Sequence, residues 1–60
     1  MTVAERLERY LRRRKTGVSV KTLRQQLLAS DTAVRKALAA LSRNVEINRH
    51  ETEYLYRWRR

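Results

Sequence analysis

The run Leu27-Leu28-Ala29-Ser30-Asp31-Thr32-Ala33-Val34-Arg35-Lys36-Ala37-Leu38 decides how this 60-residue chain folds. Ala29-Ser30 interrupts an apolar helical spacing that exists on both sides of it. Upstream, Leu23 and Leu27 lie one turn apart on one face, and Ser19 is placed to cap a helix running to about Leu28. Downstream, Val34, Leu38 and Leu41 make the next stripe, with Ala37 and Ala40 small enough to let a neighbouring helix approach. Ser30 or Asp31 caps this second helix, which is predicted to reach about Arg43. Two short helices joined by a break of two to three residues form a helix-turn-helix arrangement.

Toward the N-terminus, residues 3 to 15 read as an earlier helix. Val3, Leu7, Tyr10, Leu11 and Arg14 follow an i, i+4, i+7, i+8 stripe that places Arg14 at the edge of the core, and Thr2 is the expected N-cap. Glu5 with Arg9, and Glu8 with Arg12, are acid-to-base pairs at i, i+4 in the favourable order. The basic cluster Arg12-Arg13-Arg14-Lys15 lies late, as the helix dipole prefers. Gly17, the single glycine, is the expected C-terminal stop. Val18-Ser19-Val20 is enough for a very short strand before the second helix.

Beyond Arg43 the period changes from helical to alternating. Val45 and Ile47 alternate with Glu46 and Asn48, and Tyr54, Tyr56 and Trp58 alternate with Leu55, Arg57 and Arg59. These are two strands joined by a polar connection over Asn48 to Thr52. The aromatic stripe is expected to cover the core, which leaves Leu55 exposed on the other face as a dimer contact. The expected fold class is mainly α with a small β hairpin: a three-helix helix-turn-helix core in one domain spanning residues 1 to 60.

Composition narrows the function. The chain has no Cys, one His and six Asp and Glu, so no thiolate zinc site or cysteine nucleophile exists and little material remains for a metal centre. No catalytic constellation is assembled, and the expectation is a non-enzyme without cofactor, metal or small-molecule substrate. No apolar run approaches the roughly 18 residues of a membrane span, and Met1 is not followed by the apolar stretch of a signal peptide, so a cytoplasmic, nucleoid or nuclear setting is expected. Fifteen Lys and Arg against six acids give +9 at pH 7. Twelve of the fifteen are Arg, whose fork suits phosphates and guanine edges. The expected partner is a polyanion, nucleic acid before an anionic membrane.

The order of elements, and the quoted turn with its Ser cap and Val-Arg-Lys-x-Leu continuation, resembles the winged helix-turn-helix family of DNA-binding domains. That resemblance implies a third helix in the major groove of double-stranded DNA, with the hairpin as a wing on the backbone. Leu28 stands where that family often has Gly. A left-handed backbone would cost Leu roughly 1 kcal/mol, so the turn is expected to be built another way.

The DNA-binding candidates fall in three groups. Ser19, Lys21, Thr22 and Arg24 open the second helix, where free backbone N–H groups suit a phosphate. On the third helix Asp31, Thr32, Arg35, Lys36 and Ala39 turn outward, and Ser30 at its cap with Thr32, Arg35 and Lys36 are the candidates, Arg35 suited to guanine O6 and N7 and Thr32 to a thymine methyl. In the hairpin, Arg49 and Arg57 are the candidates, and Arg59 and Arg60 read as a frayed basic tail. Asp31 is explained by capping more simply than by a base contact. A small sequence-preferring transcription regulator, with a homodimer as its candidate assembly, is the leading function. Non-specific packaging or RNA binding, a protein-interaction winged helix and a membrane-surface module are the alternatives.

Overall fold

A computed structural model describes residues 1–59, so the Arg60 part of the expected basic tail lies outside the described residues. Three helices come first: α1 (Val3–Arg13), α2 (Val20–Leu27) and α3 (Asp31–Ala40). A 3₁₀ turn at Ser42–Asn44 then leads into an antiparallel hairpin of β1 (Val45–His50) and β2 (Glu53–Trp58). The expected class, a three-helix core with a small β hairpin, is the one observed. No helix among the described residues is long and apolar enough to cross a membrane.

Each helix starts where its cap allows. Thr2, Ser19 and Ser30 all hold extended backbone and accept a hydrogen bond from the N–H three residues on. At α1 the cap is reciprocal. Glu5 accepts from both the backbone N–H and the hydroxyl of Thr2 at 3.1 Å, so it closes a capping box and forms no ion pair with Arg9. Glu8 does pair with Arg12, at 3.2 Å.

The core is built from Leu7 and Leu11 of α1, Leu23 and Leu27 of α2, and Val34, Ala37 and Leu38 of α3, joined by Val18 and Val45. Leu7, Leu11, Leu23 and Val34 are completely enclosed, and among the described residues no polar side chain is buried with them. Tyr56 and Trp58 close the core from the hairpin side, as expected, while Tyr54 beyond them is 53% exposed. Val18 makes a single bridge to Tyr56, with N–H to O distances of 2.9 and 2.8 Å, and so ties the α1–α2 connection to the outer edge of β2.

Several boundaries differ from expectation. Helix α1 ends at Arg13, not at residue 15. Arg14 is extended (φ −93°, ψ 137°) and exposed, its guanidinium carbon 5.6 Å from the ring centre of Tyr10, a residue packed against the core. Helix α3 stops at Ala40, and both strands run further toward the tip, leaving Glu51-Thr52 as the whole turn. Arg59 is held rather than frayed, its N–H donating to the Asn44 carbonyl at 2.7 Å.

Gly17 is required for a different reason from the one the sequence gives. It has no positive φ and ends no helix. A Cβ placed on it would lie 2.8 Å from the Leu55 Cβ, well inside the roughly 3.5–4.0 Å at which carbons pack. This approach is also why Leu55 is half-buried rather than the exposed dimer contact expected. Gly17→Ala is therefore expected to cost about 1–2 kcal/mol by forcing the connection off β2. A thermal melt unchanged from wild type would show that the segment yields freely.

The turn between α2 and α3 is also a correction. Leu28 adopts the left-handed conformation after all (φ 52°, ψ 45°), its N–H donating to Arg24, while its side chain stands 88% exposed. Nothing packs on that side chain to offset the backbone cost. Leu28→Gly is expected to raise stability by about 0.5–1 kcal/mol, less than the full left-handed penalty because glycine also loosens the unfolded chain. A lower urea midpoint in the variant would contradict this.

Candidate nucleic-acid interface

The hairpin has two chemically different faces. Register places Val45 opposite Trp58, Ile47 opposite Tyr56 and Arg49 opposite Tyr54, so these six share one face. Glu46 with Arg57 and Asn48 with Leu55 share the other. At its base the first face seals the core. Toward the tip it runs on beside α3, where Leu38, Ala39, Val45, Ile47 and Tyr56 line a largely apolar cleft of about 220 Å³ with Arg35 and Ser42 at its rim. A second depression, again bordered by Arg35, joins Ser19 and Lys21 of the α2 start to Thr52 and Tyr54 of the hairpin tip.

Arg35 is thus where α3, the start of α2 and the hairpin converge. Its Nε donates to Asp31 Oδ2 at 2.7 Å, one helical turn back, and both side chains remain accessible. The hydrogen bond Arg35 donates to Asp31, and next the Asp31 charge, raise the Arg35 pKa above its usual value. Because Nε is the held atom, both terminal nitrogens of the guanidinium are left to approach a ligand. Asp31 does not cap α3; Ser30 does, its Oγ accepting from Ala33 N–H at 3.1 Å.

The other candidates divide by where the fold carries them. Thr32 and Lys36 are exposed on α3, opposite the stripe of Val34, Ala37 and Leu38. Ser19 and Thr22 are engaged with one another, the hydroxyls 3.2 Å apart and the Thr22 N–H bound to Ser19 Oγ. Lys21 stands exposed at the same helix start. Arg24 lies with Lys21, Gln25 and Leu28 along the outer side of α2. Arg49 is exposed, its Nε donating to the Glu51 carbonyl at 3.3 Å, which folds it onto the hairpin turn. Arg57 does not join the group. It sits on the opposite hairpin face, bonded to Glu46 at 2.6 Å, and that contact holds the Glu46 carboxyl below its ordinary pKa.

Two features of this surface escape the sequence reading. The Asp31–Arg35 lock is an i, i+4 acid-to-base pair of the kind recognised in α1, so its signal was present. The exposure of Ile47, at 58%, had none, because alternation alone makes Ile47 a core residue like Val45. A comparison with protein-family profiles, with curated proteins and with solved structures found no match.

Proposed function

We propose that the chain binds double-stranded DNA in the manner of the winged helix-turn-helix family, as a small sequence-preferring regulator of transcription. Helix α3 enters the major groove, Arg35 takes a guanine through its terminal nitrogens, and Thr32 and Lys36 reach a neighbouring base edge and phosphate. Lys21 and the α2 start, with Arg49 on the hairpin, hold the backbone on either side. The observation that carries this reading is the convergence on Arg35, a guanidinium held by Asp31 beside the α2 start and the hairpin.

Selection from a randomised duplex pool, repeated at several salt concentrations, tests it. An enriched site containing a guanine is the expected result, and a two-fold repeat in it would report a dimer. Tight but sequence-blind binding that fades steeply with salt would instead make this a packaging protein. A second reading, a protein-interaction module, draws on the exposed Ile47 beside the apolar cleft. Absence of duplex binding at physiological salt would favour it.

A further inference from the structure

The positive charge of this protein is concentrated away from α3. Around the convergence on Arg35, Lys21, Lys36 and Arg49 are offset by Glu51 and Glu53 at the hairpin tip, and Arg35 itself is paired with Asp31. On the other side, the end of α1 and the base of the hairpin form a broad depression lined by Arg12, Arg13, Lys15 and Arg57, with Glu46 its single acid and with Trp58 reaching it from the core-facing side of β2. Glu46 is spent on Arg57 at 2.6 Å, and Glu8 on Arg12 at 3.2 Å. Arg59 adds its field to Glu46 from the end of β2. Arg13 and Lys15 are exposed and make no ion pair among the described residues. The depression also has a fixed wall, because the Arg12 guanidinium carbon lies 5.9 Å from the Trp58 ring centre.

This surface and the α3 surface cannot serve one straight duplex. Glu46 and Arg57 alternate along their strands with Ile47 and Tyr56, which line the cleft against α3, so the two surfaces point to opposite sides of the hairpin. A duplex bound at α3 therefore lies on the opposite side of the hairpin from Arg57.

We infer that the depression formed by Arg13, Lys15 and Arg57 beside Trp58 is a second phosphate-backbone site, which takes a separate DNA segment and lets one molecule bridge two duplexes. The inference rests on the proposed DNA binding at α3. Its contacts are to phosphates, so the second segment is held without regard to sequence and is released first as salt rises.

The test loads the protein onto a bead-immobilised duplex and measures capture of a second, fluorescent duplex, beside a solution titration of the first duplex alone. Wild type is expected to capture the second duplex. The double variant Arg13→Ala, Lys15→Ala is expected to capture about tenfold less while its affinity for the first changes by less than about threefold. Both positions are exposed and outside the core, and circular dichroism with light scattering checks that fold and oligomeric state are kept. Wild type that binds the first duplex yet captures no second one overturns the inference and leaves the function at α3 standing. Undiminished capture by the double variant also overturns it, and places bridging in self-association. Failure to bind even the first duplex overturns both.

Discussion

Leu23→Ala is expected to remove about 2–5 kcal/mol of stability, the range for emptying a fully enclosed leucine site. Leu23 is completely buried in the core cluster contributed by α1, α2 and α3, and among the described residues no polar side chain is buried with it. For a chain of 60 residues the total is only about 3–9 kcal/mol at typical per-residue stability. One substitution therefore takes from about a quarter of it to all of it. Self-repulsion from a charge of +9 makes the remainder dependent on salt. Urea unfolding at two ionic strengths measures both effects. The variant should be largely unfolded at low salt and partly recovered at high salt, whereas a loss under about 1 kcal/mol would mean that the site collapses around the cavity.

Arg35→Ala is expected to weaken binding to the selected DNA site by about 5- to 150-fold and to flatten discrimination at one guanine, with little effect on random duplex. Asp31→Asn separates position from charge. It removes the carboxylate that holds Nε at 2.7 Å and also removes a negative charge from the α3 surface. Binding to random duplex should then rise while preference for the guanine falls, a divergence that simple loss of a helix-stabilising acid would not produce. Competition titrations with specific and scrambled duplexes read both quantities. Unchanged preference in the folded Arg35→Ala variant would place base recognition elsewhere than α3.

Much of this fold is local and so can be read from neighbouring residues. The caps at Thr2, Ser19 and Ser30, the leucine stripes and the change of period after Arg43 depend on contacts within a few positions. The failures occur where a local signal meets a distant partner. Arg14 fits the α1 stripe, but the helix ends before it because the chain must turn toward Val18 and its bridge to Tyr56. Leu28 has the wrong side chain for its backbone, and the turn forms regardless because Leu27 and Val34 must both reach the same core. Gly17 looks like a helix stop and is in fact the space that Leu55 needs.

The candidate site divides along the same line. That the third helix carries Thr32, Arg35 and Lys36 outward, and that the chain is basic enough for a polyanion, are properties of spacing and composition, which need no knowledge of the packed chain. Hairpin register is set by pairing across the turn, and only the packed structure says which face meets α3. That choice moves Arg57 out of the α3 surface and into the company of Arg13 and Lys15, and it leaves Ile47 exposed beside Arg35. A one-residue change of register would exchange the two faces, because side chains alternate with a period of two. Composition thus determined that this protein carries a net charge of +9, and tertiary packing decided on which side of the hairpin each of its charged residues stands.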